Sequence, residues 1–598
     1  MRERASTSTD LEPQVGPLNI PEQPRAAEPA GPRTYGQAAE KLREEAASQA
    51  RAAAAADEER DATETLLLFR SDLEREADRR EREEARDSRP QGIRRLIPYL
   101  PLLPILSVQA YLALRLMSGR TASVEEASAL FAGHMEIGHL LHGTPINNYP
   151  TFFSGAPVIY PVLAALLDAA HGLEAARCLS LACMLLATTA VFKTGRRIYG
   201  LPTGIAAGAL FSVLGPTLHL GSYATFDSLA VCLLAWSLYH TVSFAHGDNR
   251  NALLYGVGFM VLADCVKYAS LLWNPLLIVL VGVTGPGWDA WKVSRVWNAQ
   301  RFALLAGSVL GVVVLAGREA YFTGFTRTVE LTVDSNMFAG DVQANVIRWL
   351  GPVLVLALVG ASALLWAARG GRSDEAGVPY RPRAWTAVLL LLAGIIGPLY
   401  QLAVNSTLSL DKQTELGAVF AAVPAGWVIA RAAETARQPR PLTTALAAVL
   451  ALAAAVPLGI NGVAQGTALA NAWPDSAQMI SVLKPLVHRG SANYLVEDAA
   501  VAEYYIGGGK VSWTQWHDTS ACLWSENGTT LTGAAACKDA IAAGYYSVIV
   551  LNYAETPKID AAIYPTISES GYRLQGGYTV PTATGTRTVS VWALAKTG

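Results

Sequence analysis

From residue 97 to residue 460 the chain returns repeatedly to apolar runs such as "VLLLLAGIIGPLYQLAV". A run of about 18 apolar residues or more spans about 30 Å of hydrocarbon as a helix, so this pattern reads as a polytopic membrane protein. Composition agrees: 51% of residues are hydrophobic and 16% are charged, against roughly 25% charged in soluble proteins. The net charge of −2 says little about partners, because the charges fall in different compartments.

The crossings are expected at about 97–117, 178–192, 204–218, 226–244, 253–262, 271–283, 302–316, 346–368, 384–402, 416–430 and 442–460. That gives about eleven transmembrane helices. "GAPVIYPVLAALLDAAHG" reads as a re-entrant or surface helix and is not counted. Arg94 and Arg95 precede the first crossing, and every second loop after it is basic: "FKTGRRIYG", "HGDNRN", "WDAWKVSRVWNAQR", "ARGGRSDEAGVPYRPR" and "RAAETARQPRP". By the positive-inside rule these loops are cytoplasmic. The amino terminus is then inside, and an odd number of crossings puts the carboxy terminus outside.

Three regions follow. Residues 1–93 are rich in Ala, Glu, Arg and Pro and poor in aromatics; such a stretch is a charged cytoplasmic tail, largely disordered or helical. It shows no basic start with an apolar core, so insertion is expected to rely on the first transmembrane helix. Residues 94–462 form the membrane domain. Residues 463–598 read as an extracytoplasmic α/β domain. There "SANYLVED" and "YYSVIVLNY" are strands, the second suited to a buried parallel position. "GAAACKDAIAAG" is a helix, and "TVSVWALA" a final strand. "YYIGGGKVS" lacks the spacing of a phosphate-binding loop and reads as a plain loop. Four of the six cysteines fall in apolar helices; Cys522 and Cys537 lie in the polar end, where an outside location makes a disulfide plausible.

The sharpest local feature is "TASVEEASALFAGHMEIGHLLHG", just beyond the first crossing. Glu125 and Glu126 are adjacent, so on a helix they point about 100° apart and cannot share one task. One can face a cavity while the other braces the loop. Leu130, Ile137, Leu140 and Leu141 give the stretch an apolar side, as in a helix lying on the membrane surface.

This stretch, followed by "FFSGAPVIYPVLAAL", resembles the first external loop of membrane glycosyltransferases with the GT-C fold, most nearly glycosyltransferase family 39 and its bacterial relatives. These include protein mannosyltransferase and aminoarabinose-transferase types. Weaker similarity continues through "SYATFDSLAVCLLAW", "VKYASLLWNPLLIVL" and "SLDKQTELGAVFAAVPAGWVIA". The family carries an Asp-Glu pair after the first helix, whereas here Glu125 stands in the place of the Asp. A later Lys-His of the family is Lys412-Gln413 here.

The resemblance implies an inverting transfer of a hexosyl or pentosyl group from a polyprenyl-phosphate donor to an acceptor hydroxyl. The acceptor is a protein, lipid or cell-wall glycan at the outer face of the cytoplasmic membrane. Glu125 or Glu126, with a preference for Glu125, takes the proton of the attacking hydroxyl. A lipid-phosphate leaving group needs cations or hydrogen-bond donors. Lys267 is the first choice, since a charge interrupting apolar helices defaults to a functional hypothesis. Tyr268, Lys412, Arg318, Asp227 and His134 complete the expected substrate-binding set. His134, His139 and His142 do not have the spacing of a helical zinc pair, so no metal site is expected and no cofactor is required. Nucleic acid is not expected as a partner. The competing readings are a transporter or flippase of lipid-linked sugar and a non-catalytic cell-envelope assembly protein. Against the first, no repeat is visible and the ionisable residues gather at one face.

Overall fold

A computed structural model describes residues 46–48 and 99–595, apart from residues 118, 152, 157, 248–249, 285–292, 334–341, 371–379, 406–408, 436–440, 508–510, 527–528, 554–555 and 583–584. The chain divides into two units, Met1–Arg95 and Leu96–Gly598. In the first, only residues 46–48 are described, and they are helical. The expected charged tail and the Arg94-Arg95 pair therefore lie outside the described residues.

The second unit opens with α1 (Leu102–Met117), α2 (Val124–His142), α3 (Tyr160–His171), α4 (Leu173–Tyr199), α5 (Leu201–Ser212), α6 (Gly215–Leu220) and α7 (Phe226–Ala245). It continues with α8 (Arg250–Val266), a 3₁₀ turn at Tyr268–Trp273, α9 (Asn274–Val283), α10 (Val293–Val333), α11 (Val342–Trp349), α12 (Gly351–Arg369), α13 (Tyr380–Val404), α14 (Leu410–Thr435) and α15 (Pro441–Ala470). Among the described residues six helical stretches are long and apolar enough to cross a membrane: 173–199, 226–245, 295–317, 351–369, 380–404 and 410–432. Three shorter apolar ones lie at 102–117, 201–212 and 268–283. At 12 residues, α3 is too short to cross.

Several expected crossings have different bounds. The run expected at 204–218 is broken at Val213 and Leu214, because Pro216 cannot donate a hydrogen bond and instead opens α6. The run expected at 346–368 is split at Leu350 into α11 and α12, again with a proline in the first turn of the second helix. The last helix runs to Ala470, past the boundary drawn at 462.

The core is helix on helix. Helix α4 packs on α5 and α7, α7 on α8, and α12, α13 and α14 on one another. Small residues set the distances. A Cβ on Gly133 of α2 would lie 2.0 Å from the Pro161 carbonyl oxygen, so α2 sits on α3 only because that side chain is missing. Gly155 approaches Val266 in the same way, at 1.8 Å.

The carboxy-terminal region adds α16 (Ala477–Leu483), β1 (Asn493–Val496), α17 (Ala499–Ala502), β2 (Trp516–His517), β3 (Leu523–Glu526), β4 (Thr529–Thr532), α18 (Gly533–Ala542), β5 (Tyr546–Leu551), α19 (Pro557–Glu569), β6 (Tyr572–Thr582) and β7 (Gly585–Leu594). Five strands form one sheet in the order β2-β1-β5-β7-β6. Strands β2, β1 and β5 are parallel, while β5–β7 and β7–β6 are antiparallel. The expected strands and helix are present. Strand β6 went unread because Gly576, Gly577 and Pro581 argue against a strand; an edge position with a register shift between Leu574 and Gly576 tolerates them. Cys522 and Cys537 form a disulfide. Ala122 and Ala127, flanking the start of α2, belong to this region's apolar core, so the sheet domain is seated on the α2 helix.

Candidate functional site

Helix α2 begins with a complete capping box. The Ser123 hydroxyl accepts from Glu126 N–H, and the Glu126 carboxylate accepts from Ser123 N–H at 3.0 Å. This fixes the rotation of the helix and separates the two glutamates. Glu126 points inward. One of its oxygens accepts from Arg177 Nε at 2.7 Å and Ala224 N–H at 2.7 Å. The other accepts from Ser123 N–H and from Arg177 Nη2 at 2.8 Å. Arg177 in turn donates to the Met117, Arg120 and Thr121 carbonyls at 3.0, 3.1 and 3.1 Å. All five guanidinium hydrogens are thereby used. This buried pair ties the end of α1, the start of α2, α4 and the Ala224 loop into one knot.

Glu125 points the other way, and its side chain is 52% exposed. One oxygen accepts from Lys412 Nζ at 2.6 Å, and the other has the Tyr223 hydroxyl at 3.4 Å. Lys412 is also 3.4 Å from one oxygen of Asp227, whose other oxygen accepts from Lys267. Four predicted residues from four distant parts of the chain thus meet in one alternating chain of charge: Glu125, Lys412, Asp227, Lys267. Lys267 also lies 5.4 Å over the Phe226 ring.

The position of Lys267 is set by local breaks in regular structure. Helix α8 ends at Val266, and Lys267 is extended, with φ −147° and ψ 115°. The loop at Ser154–Ala156 pairs with this break: Ala156 N–H donates to the Cys265 carbonyl at 2.7 Å, and Tyr268 N–H donates to Ser154 at 2.8 Å. The glycine at 155 permits that approach. Asp227 occupies the first turn of α7, where the helix dipole favours a carboxylate. Lys412 is carried by the first turn of α14.

The remaining predicted residues lie elsewhere. Tyr268 borders a cavity of about 200 Å³ lined also by Asp264, Cys265, Leu271, Leu310 and Phe325. His134 is not in the charged chain. It lies about two and a half turns along α2 from Glu125, on the opposite face. Its Nε2 is 2.7 Å from Asp168, which also accepts from the Tyr504 hydroxyl at 2.7 Å. Burial pushes the Asp168 carboxyl up, but these two hydrogen bonds bring it below its usual value. His134 therefore links α2 to α3 and, through Asp168, to the sheet domain, apart from the charged chain that joins Glu125 to Lys267. Arg318 belongs to α10, and its side chain lies outside the described residues.

Sequence reasoning missed Arg177, His219, Tyr223 and Asp411. His219 stacks on Tyr223 with centroids 4.3 Å apart, and its Nε2 is 4.0 Å from Asp411. An arginine inside the apolar run of α4 was a visible signal, since such a charge needs a buried partner. Among the described residues no three His, Cys, Asp or Glu side chains group as a metal cage.

Residues 156–321 match the family described as dolichyl-phosphate-mannose-protein mannosyltransferase. No curated protein matches the chain. Among solved structures, ArnT from Cupriavidus metallidurans bound to undecaprenyl phosphate is similar with a TM-score of 0.51 and 14% identity, over 82% of this chain and 97% of that one. The apo state of the same protein gives 0.50 and 14%, with the same coverage. The apo oligosaccharyltransferase of Archaeoglobus fulgidus gives 0.49 and 11%, over 83% and 74%. The chain is a multi-pass membrane glycosyltransferase of the GT-C fold, similar over residues 156–321 to the dolichyl-phosphate-mannose-protein mannosyltransferases.

Proposed function

We propose that this protein moves a hexosyl or pentosyl group from a polyprenyl-phosphate donor to an acceptor hydroxyl, with inversion, and that Glu125 is the base. One observation carries the assignment: of two adjacent glutamates, Glu126 is saturated by four hydrogen bonds while Glu125 is half exposed and, among the described residues, paired only with Lys412 and the Tyr223 hydroxyl. A carboxylate locked to a buried guanidinium has no lone pair to offer a substrate. Matching polyprenyl chemistry is supported by the family description and by the undecaprenyl phosphate bound to ArnT.

In the proposed step the acceptor oxygen attacks the anomeric carbon, the bond from that carbon to the phosphate oxygen breaks, and the hydroxyl proton passes to Glu125. Polyprenyl phosphate leaves. Negative charge near the oxocarbenium-like centre also helps. The cations for the leaving phosphate are Lys412 and Lys267, both of which are already paired with carboxylates. An arriving phosphate must compete for Lys412. As it draws the ammonium away, a Glu125 oxygen is freed to accept a hydrogen bond from the acceptor hydroxyl.

The outer face is proposed as the working side. The sheet domain touches α2 through Tyr505, whose hydroxyl accepts from Ala122 N–H at 2.8 Å, so both lie on one side of the membrane. The disulfide in that domain fits an oxidising compartment. The transfer is proposed to need no metal, so a chelator should leave it intact.

The test is incubation of purified protein in lipid nanodiscs with radiolabelled polyprenyl-phosphate mannose or arabinose and membrane acceptors. Glu125→Gln should lower transfer about 10²- to 10⁴-fold with thermal stability kept. Undiminished transfer by that variant would remove Glu125 from the chemistry. Absence of transfer by wild type from either donor would count against the donor class.

A further inference from the structure

The carboxyl ends of parallel strands β1 and β5 lie side by side, with Val496 in register with Val550. Open α/β sheets bind ligands at such ends. Immediately beyond them stand Glu497, Asp498 and Asn552. Glu497 is committed to structure: it accepts from Thr556 N–H at 2.9 Å and Asn552 N–H at 2.7 Å. Asp498 is held differently. Its backbone is left-handed, with φ 61°, which is uncommon outside glycine, and one carboxylate oxygen accepts from Asn552 Nδ2 at 2.7 Å. Its side chain lines a narrow pocket together with Trp473, Asn552, Tyr578 and Arg587.

Three polar atoms in this pocket are buried and have no hydrogen-bond partner among the described residues: Trp473 Nε1, the Tyr578 hydroxyl and Arg587 Nη1. Strands β6 and β7 put Tyr578 opposite Val589 and Val580 opposite Arg587, so both polar groups share the face that lines the pocket. A buried donor left without an acceptor is costly, and proteins rarely keep several together without a use. Two of the three atoms can only donate. The ligand must therefore bring acceptors.

An anion would satisfy the donors but would meet the Asp498 carboxylate. A hydroxyl satisfies both sides, since it accepts from Arg587 or Trp473 and donates to a carboxylate. We propose that this pocket is a non-catalytic subsite for a neutral glycan, which it reads by the hydroxyls along one edge. The cavity volume of about 20 Å³ admits one hydroxyl-sized group at full depth, so the edge of a sugar ring is read and the ring is not engulfed. One wall is tied to the helix that carries Glu125. The Thr121 hydroxyl bonds Asp475 at 2.9 Å and accepts from Ser476 N–H at 2.8 Å. A glycan held here lies beside the loop that caps α2.

The experiment uses the full chain in nanodiscs and saturation-transfer NMR with three probes: mannotriose, arabinotriose and trigalacturonate. Tyr578→Phe deletes one hydroxyl and keeps the ring; Trp473→Phe removes the indole N–H together with part of the ring system. A neutral trisaccharide should bind, and each variant should weaken it about ten-fold, the loss of one hydrogen bond. Glu125→Gln should bind like wild type, which separates this site from the transfer reaction. Binding of trigalacturonate alone, binding unchanged in both variants, or no binding of either neutral probe (a pocket for water only) overturns the proposal. A variant that fails to fold is set aside and the other decides.

Discussion

The charged chain around Glu125 and the pocket in the sheet domain solve the same problem in opposite ways. In the first, every ionised group has already found an opposite charge: Glu125 with Lys412, Asp227 with both lysines, Glu126 with Arg177. In the second, Trp473, Tyr578 and Arg587 wait with polar atoms unused. The depth of burial explains the contrast. Lys267 and Asp227 are almost wholly buried, and an uncompensated charge there would cost several kcal/mol. Under the proposed function, substrate has to open such a pairing. The pocket holds mostly neutral donors, whose burial costs less, and can stay ready.

Substitutions can break or sharpen this contrast. The largest effect should come from Arg177→Met, which leaves Glu126 buried and unpaired and should destabilise the protein by about 3–5 kcal/mol in thermal unfolding. Arg587→Met, in the pocket, should stay within about 0.5 kcal/mol of wild type, because no buried partner is abandoned. Equal losses in the two variants would end the comparison. Next, Lys412→Met should slow transfer by about 10²- to 10³-fold, the usual effect of removing one group that stabilises developing charge.

A smaller effect concerns pH. In the sheet domain, burial and then Asp518 raise the Glu503 carboxyl from 4.5 to about 7. A raised acid binds a proton more tightly in the folded state. Its contribution to stability is complete below pH 4.5 and is lost as pH rises to about 7. Glu503→Gln should remove that part of the pH dependence, so its melting temperature should fall less than that of wild type between pH 5 and pH 8. A parallel fall would show that Glu503 is charged throughout.

The membrane class and the sheet domain could be read early because they rest on local patterns. Long apolar runs, alternating basic loops and the apolar strand "YYSVIVLNY" each declare themselves within a window of residues. The capping box at Ser123 and Glu126 also has a local signal, S-x-x-E before an apolar stretch, but it was not among the sequence expectations. Breaks at Pro216 and at Leu350 were harder to see, since hydropathy is blind to a missing backbone donor. His134 was drawn toward substrate by its nearness in sequence to Glu125, yet a helix turns about 100° per residue and carried it to the far face.

Sequence alone therefore determined the environment of this chain and the residue types that stand in it: apolar spans, an acidic pair after the first, and lysines where apolar helices end. Which glutamate is braced and which is left open was decided only in three dimensions. Adjacent carboxylates are chemically alike, and they became different when Arg177, fifty-one positions away, closed on Glu126 and left Glu125 to Lys412. Partners so far apart along the chain meet only through helix packing, and that packing assigns the bracing role to one glutamate and the open position to the other.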